Sequence, residues 1–125
     1  MPKRKINFDT VRKIGLALPD VEEGTAYGSP ALKVRGNLLT CIAVHSSAEP
    51  DSIAVRIDFE QREELIRTDP DVYYLTDHYV NYPVVLVRLS RIHPEALPGL
   101  LRAAWRYVTA ERSGRKRMVR RKHER

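Results

Sequence analysis

The sequence predicts a single α+β domain, with a largely antiparallel sheet and helices packed on it. Three observations predict this class. A chain of 125 residues has the length of one domain, and its 42% hydrophobic content suffices for one modest core. Its strand-like segments come as a group of three and a group of two, with connections short enough for antiparallel pairing. Segments with helical periodicity precede, separate and follow these groups, giving the order α-β-β-β-α-β-β-α.

The first helix is predicted over residues 8–18. Its apolar residues recur at helical spacing: Phe8, Val11, Ile14 and Leu18. Asn7 is placed to cap this helix, and Pro19 ends it. Residues 20–30 are rich in turn formers and are predicted to form an ordered loop, in which Tyr27 packs onto the core.

Three strands are predicted next, at residues 31–35, 38–44 and 52–57. Gly36 and Asn37 supply the positive φ angles of a two-residue hairpin turn. Lys33 and Arg35 alternate with apolar residues, so they share the outer face of the first strand. Cys41, the single cysteine, lies in an apolar run and is expected to behave as a small hydrophobe.

Asp58 and Gln61 have the spacing of a capping box that opens a helix over residues 59–68. Strands are predicted at 72–75 and 84–89, and the segment 77–83 between them forms a hairpin-like projection. Arg88 interrupts the second of these strands, and an ion pair is the favoured explanation.

The last helix is marked by an apolar stripe: Leu97, Leu100, Leu101, Ala104, Trp105 and Val108. Pro98 is expected in its first turn, where the missing N–H costs least. Gly114 is predicted to end this helix.

The charge of +6 is concentrated at one end of the chain. Residues 112–125 carry eight basic side chains and one acidic, whereas residues 1–111 carry 14 basic and 15 acidic. We therefore divide the chain into a nearly neutral domain, 1–111, and a basic C-terminal tail, 112–125. A charged tail can simply be solvated, but this density favours nucleic-acid binding through phosphate contacts. The tail has no aromatic residue on which single-stranded bases could stack, which favours duplex DNA.

Several segments resemble the MmcQ/YjbR family. They are Leu18-Pro19, Val21-Glu22-Glu23-Gly24, Tyr27-Gly28-Ser29-Pro30, Ala31-Leu32-Lys33-Val34-Arg35-Gly36, His78-Tyr79-Val80-Asn81-Tyr82-Pro83 with the strand that follows, and Ala104-Trp105-Arg106. The resemblance covers about residues 8–111, and Asp20 stands where a glycine is common in the family. It implies a compact α+β domain of the type also seen in secretion chaperones. Family members are commonly described as binding DNA through two hairpins, a double wing. The wings here would be the hairpin around Gly36-Asn37 and the segment 76–84.

The predicted function is therefore DNA binding, mainly through the duplex backbone. Candidate residues of the domain are Lys33, Arg35, Arg56, His78, Tyr79 and Tyr82, and those of the tail are Arg112, Arg115, Lys116, Arg117, Arg120, Arg121 and Lys122. Outward basic residues on a strand also discourage edge pairing, and Tyr and His side chains suit packing as well as recognition. The alternative is a protein-interaction adaptor resembling a small secretion chaperone, which requires an exposed apolar patch. A third hypothesis is a small-molecule pocket lined by Tyr27, Tyr79 and Tyr82.

No catalytic or metal constellation is predicted. None of the four histidines has the spacing of a zinc ligand pair, there is no CxxC, and no cofactor motif occurs. His45, Ser46, Ser47 and Asp51 include the residue types of a triad, but they lie in one loop without a nucleophile elbow. With no apolar run of membrane-spanning length and no signal peptide, we expect a cytoplasmic binding protein that is not an enzyme.

Overall fold

The computed structural model describes the backbone of residues 6–124 and the side chains of residues 6–110. Its elements, in chain order, are α1 (Phe8–Leu16), β1 (Val21–Ala26), β2 (Ser29–Val34), β3 (Asn37–Ile42), β4 (Ser52–Arg56), α2 (Phe59–Thr68), β5 (Tyr73–Tyr74), β6 (Val84–Arg88) and α3 (Ala96–Glu124). The strands form one sheet in the order β1-β2-β3-β4-β6-β5, and every neighbouring pair is antiparallel. The predicted α+β class is confirmed.

The main core lies between one face of this sheet and the helices. Alternate strand residues point into it, among them Leu32, Ile53, Val55, Val85 and Val87, all fully buried. The apolar stripe predicted for α3 packs against the same core. The indole Nε1 of Trp105 donates to the carbonyl of Pro19 at 2.9 Å, which ties α3 to the end of α1. The opposite sheet face, which we call the open face, carries a smaller buried cluster: Ala31, Cys41, Ala54 and Leu86.

Residues 21–26 form the edge strand β1, so the prediction of a loop over residues 20–30 is wrong. This strand pairs with β2 from Val21 opposite Val34 to Ala26 opposite Ser29. Only Val21 is buried, so the strand has no alternating apolar pattern by which it could be found. The first group of strands consequently has four members.

Two hairpin turns in the first half of the sheet depend on positive φ angles. Tyr27 (φ 55°) and Gly28 (φ 77°) connect β1 to β2, and Arg35 (φ 52°) and Gly36 (φ 83°) connect β2 to β3. The second turn therefore lies one residue earlier than the predicted Gly36-Asn37. Tyr27 lies at the tip of the first turn and is 82% exposed, so the prediction that it packs onto the core is wrong.

The predicted N-caps of α1 and α2 are confirmed. The Asn7 side chain accepts a hydrogen bond from the N–H of Thr10 at 3.3 Å, and the Asp58 carboxylate accepts from the N–H of Gln61 at 2.7 Å. These bonds satisfy amides that have no partner within the helix.

The last helix is longer than predicted. Pro98 lies in its first turn, as expected, but the backbone continues through Gly114 to Glu124, so the predicted end at Gly114 is wrong. One glycine in a helix interior costs only about 1 kcal/mol relative to alanine, which favourable neighbours can outweigh. Among the helices described here, none has both the length and the apolar character needed to cross a membrane.

Candidate functional site

On the open face, small side chains lie next to one another on adjacent strands. Ala31 of β2 is the register partner of Cys41, and Cys41 is the partner of Ala54 on β4. Because none of these side chains rises far above the backbone, they leave room over the middle of the sheet. A cavity of about 590 Å³ opens there, with Cys41 and Ala54 among its lining residues.

Three tyrosines from two loops surround this cavity. Tyr27 reaches it from the β1–β2 turn, while Tyr79 and Tyr82 reach it from the connection between β5 and β6. Tyr82 is 57% exposed, whereas Tyr79 packs against the small cluster of the open face. Burial raises the pKa of the Tyr79 phenol, and a hydrogen bond with the backbone of His45 opposes that rise.

Two stacked histidines also line the cavity. The rings of His45 and His78 lie 3.6 Å apart and are inclined by 10°, and Tyr79 contacts the His78 ring edge-on at 4.8 Å. His45 Nδ1 accepts the backbone N–H of Ser47 at 3.0 Å, so in the neutral ring the proton is on Nε2. The stack joins the β3–β4 loop to the β5–β6 connection across the open face.

His45 and Ser47 form hydrogen bonds with each other within the β3–β4 loop. Ser47 Oγ lies 2.8 Å from His45 Nδ1 and 2.7 Å from the hydroxyl of Thr76. Among the residues whose side chains are described, no carboxylate forms a hydrogen bond with the His45 ring. These contacts join the β3–β4 loop to the β5–β6 connection.

Arg56 supplies a positive charge at the cavity, and Cys41 supplies a thiol that stays protonated. Arg56 is half-buried, and its guanidinium carbon lies 5.7 Å from the centre of the Tyr107 ring. Burial raises the pKa of the Cys41 thiol to about 11. The predicted residues Arg56, His78, Tyr79 and Tyr82 are thus brought together around one cavity.

Lys33 and Arg35 lie elsewhere. Arg35 is in the β2–β3 turn rather than in β2, and its Nε and Nη2 donate to Asp20 Oδ2 at 3.1 and 2.9 Å. Asp20 has a φ of 63°, a left-handed angle that glycine adopts without strain, and this is the position where a glycine is common in the resembling family. The aliphatic part of Lys33 lies alongside Gly24 on β1.

Arg62 is a residue of this site that the sequence did not indicate. Although it lies on α2, its side chain is only 5% exposed. Its Nη1 donates to the carbonyls of Tyr82 at 2.8 Å and Val80 at 3.1 Å, and its guanidinium carbon lies 4.7 Å from the Phe59 ring centre. Arg62 therefore holds the β5–β6 connection in place next to the cavity.

Arg88 forms the predicted ion pair. Its Nε and Nη2 each donate to a carboxylate oxygen of Glu49 at 2.8 Å, and its Nη1 donates to the carbonyls of Pro70 and Asp71 at 3.1 Å. Hydrogen bonding to Arg88 lowers the pKa of Glu49.

The seven tail candidates lie outside the described side chains: Arg112, Arg115, Lys116, Arg117, Arg120, Arg121 and Lys122. Their backbone belongs to α3. Within the part of the chain whose side chains are described, no group of three His, Cys, Asp or Glu residues could hold a metal ion.

Comparison with known proteins gives a family and a fold. The family model described as YjbR matches residues 16–107. Two relatives, "Uncharacterized protein Mb2600" of Mycobacterium bovis and "Uncharacterized protein Rv2570" of Mycobacterium tuberculosis, are each 41% identical over 56 residues. Each match covers 44% of this chain and 43% of the relative, so the chain spans less than half the length of the curated relatives it matches.

A solved structure is also similar. The crystal structure of Deinococcus radiodurans protein DR2400, which has a DUF419 domain, aligns with a TM-score of 0.66 at 23% identity, over 82% of this chain and 78% of that one. At this identity the likeness is one of fold.

Proposed function

The chain belongs to the YjbR family, and from this premise and its charge distribution we propose that it binds duplex DNA, mainly through the phosphate backbone. The observation that carries the proposal is the basic segment 112–125 at the end of a helix whose first turns are packed in the core. It is a binding function, with no catalytic step assigned to the site.

The basic segment matches a duplex in length and in charge. Residues 112–124 continue α3, and a helix of that many residues is about 20 Å long. Duplex DNA presents one negative charge per roughly 1.7 Å, so about a dozen phosphate charges lie within the same length. Seven of the eight basic residues of the tail fall in this helical stretch. Because Leu97, Leu101 and Val108 anchor α3 in the core, the domain fixes the position from which the segment extends.

In this proposal the domain makes fewer phosphate contacts than the tail. The Arg35 guanidinium is engaged with Asp20, and His78 and Tyr79 are packed across the open face. Residues 76–83 form a connection between two antiparallel strands, as a wing would, but Arg62 and the histidine stack hold it against the domain. In this proposal the tail provides most of the affinity, and the domain provides the support.

The test compares two full-length variants with equal charge changes. One replaces Arg115, Lys116 and Arg117 with glutamine, and the other replaces the exposed domain residues Lys13, Arg91 and Arg102. Binding to a fluorescently labelled random duplex is measured by anisotropy at about 0.1 M salt. Loss of three phosphate contacts should weaken binding roughly 10- to 100-fold, and the domain variant should bind like the original chain. Equal weakening by both variants would contradict a tail-based site.

A protein-interaction adaptor is the second candidate, because two exposed side chains with apolar surface lie together at the cavity of the open face. Val44 and Tyr82 line its cavity and are 47% and 57% exposed. If the full-length chain binds no duplex even at low salt, the DNA proposal is wrong and the adaptor function becomes the favoured one.

A further inference from the structure

We infer that the cavity of the open face is a binding site for a planar aromatic ligand that carries an acidic group. This inference is independent of the phosphate contacts of the tail, because it rests only on the side chains around the cavity. It concerns a small ligand or a single exposed nucleotide, both of which combine a flat ring with a negative charge.

The size and the shape of the cavity suit such a ligand. Its volume of about 590 Å³ lies in the range of small-molecule sites, roughly 300–1,000 Å³. Cys41 and Ala54 are neighbours on adjacent strands and contribute small side chains to the lining. Their small size leaves room over the sheet for a ring that the tyrosines of the lining can contact.

The aromatic residues at its edge lack the burial that a structural role would give them. Tyr27 and Tyr82 are 82% and 57% exposed, although both line the cavity. Exposed tyrosines offer a large contact area at a low entropic cost, because only two torsion angles need to be fixed. They can stack on a ligand ring, and each has a hydroxyl that can bond to polar atoms at its edge.

The charges around the cavity favour an anion. Among the described lining residues there is one guanidinium, that of Arg56, and two imidazoles, those of His45 and His78, but no carboxylate. The Nε2–H of His45 is a donor in the neutral ring, as are the tyrosine hydroxyls. Among the described lining residues, a negatively charged group would therefore find the Arg56 guanidinium and several hydrogen-bond donors, whereas a cation would find no carboxylate.

Contacts within the chain hold the two loops that border the cavity. Arg62 holds the carbonyls of Val80 and Tyr82, and the stack of His45 on His78 joins the two loops that border the cavity. Such preorganisation reduces the ordering cost of binding. A ligand would enter between loops whose backbones are already fixed.

The probe is naphthalene-2-carboxylate, with naphthalene-2-carboxamide as its neutral counterpart and decalin-2-carboxylate as its non-planar one. Binding to the full-length chain is measured by titration calorimetry. We expect one carboxylate probe per chain, bound at least about tenfold more tightly than either counterpart. Chemical-shift changes should centre on the amides of Cys41, His45 and Ala54.

Two variants of the same loop test the location. Tyr82→Ala should weaken probe binding about tenfold through the loss of stacking, whereas Val80→Ala should leave it unchanged. Val80 is a matched control, since it is 41% exposed, does not line the cavity and offers Arg62 the same kind of backbone carbonyl. Arg56→Gln should weaken binding of the carboxylate and leave that of the carboxamide unchanged.

Competition against the bound probe identifies the source of the ligand. Displacement by deoxyadenosine monophosphate alone supports a free small molecule, and displacement also by a single-stranded oligodeoxyadenylate supports a nucleotide within a strand. Three results would overturn the inference: no binding of the carboxylate, equal binding of all three probes, or equal effects of Tyr82→Ala and Val80→Ala. Equal binding of all three would indicate an apolar surface for a protein partner instead. If the tail variant loses DNA binding but still binds the probe, the cavity is a site separate from the tail, as inferred here.

Discussion

Replacing Arg62 with methionine tests whether one buried guanidinium holds the β5–β6 connection on the domain. Methionine keeps most of the length and the apolar contacts of the arginine stem but removes its donors. In the native chain those donors bond to the carbonyls of Tyr82 at 2.8 Å and Val80 at 3.1 Å. The Val84 carbonyl, at 3.4 Å, is a weaker third acceptor.

The expected loss of stability follows from these contacts. A hydrogen bond from a charged group contributes roughly 1.5–3 kcal/mol, and two such bonds are lost. Against this, the buried Arg62 Nε has no hydrogen-bond partner, and removing it recovers part of a desolvation penalty of about 1–3 kcal/mol. The Tyr82 carbonyl also keeps its bond from the N–H of Val84 at 2.8 Å. We therefore expect a net destabilisation of about 2 kcal/mol.

Urea unfolding of the purified chain measures this change as a difference in the free energy of unfolding. Arg67→Met is the matched control on the same helix: its side chain is 69% exposed and its ion pair with Glu64 is at the surface, so it should cost less than about 1 kcal/mol. Amide exchange of residues 79–82 should accelerate in Arg62→Met only. Equal stabilities of the two variants would refute the assignment of Arg62 as an anchor.

Three further predictions concern the core at Gly15, the Cys41 thiol and the Arg88–Glu49 ion pair. A methyl group added at Gly15 would overlap with Leu32 Cδ1, so Gly15→Ala should destabilise the fold by about 1–3 kcal/mol in the same urea assay. An unchanged stability would contradict tight packing between Gly15 and Leu32. Burial raises the pKa of Cys41 from 9.0 to about 11, so less of the reactive thiolate is present at pH 8. The native chain should therefore react with iodoacetamide about 100-fold more slowly than the chain unfolded in urea. Equal rates would contradict the burial of Cys41. Since Arg88 lowers the pKa of Glu49, the pair stabilises the fold above the ordinary carboxyl pKa, and this stabilisation is lost as the pH falls through the lowered value. Carboxyl NMR titration should show the Glu49 pKa rising in Arg88→Met, and an unchanged value would exclude the pair as its cause.

Elements with strong periodicity were predictable from the sequence, and those defined by their neighbours were not. The apolar stripe of α3 and the cap at Asp58 correctly placed the core-facing part of α3 and the start of α2, because their signals are local. Strand β1 could not be predicted in this way, because Glu22 and Glu23 are exposed and the strand is stabilised by its pairing with β2. The turn at Arg35-Gly36 was misplaced by one residue because a left-handed arginine is uncommon and the sequence offers Gly36-Asn37 as the ordinary choice.

The candidate site was predictable in its residue types but not in its geometry. His78, Tyr79 and Tyr82 are neighbours in the sequence and could be selected together. The floor of the cavity depends on the register that aligns Cys41 with Ala54, and no local pattern encodes that register. The role of Arg62 was hidden for a similar reason, because an arginine on a polar helix is usually solvent-exposed.

The most direct test of the proposed DNA-binding function is the salt dependence of duplex binding by the full-length chain. If the basic segment 112–125 contacts phosphates, the logarithm of the association constant should fall linearly with the logarithm of the salt concentration, with a slope of about −5 to −7. Replacing Arg115, Lys116 and Arg117 with glutamine should reduce the size of that slope by about 2 to 3. A slope that is near zero, or one that the three substitutions leave unchanged, would contradict the proposal that this segment binds DNA.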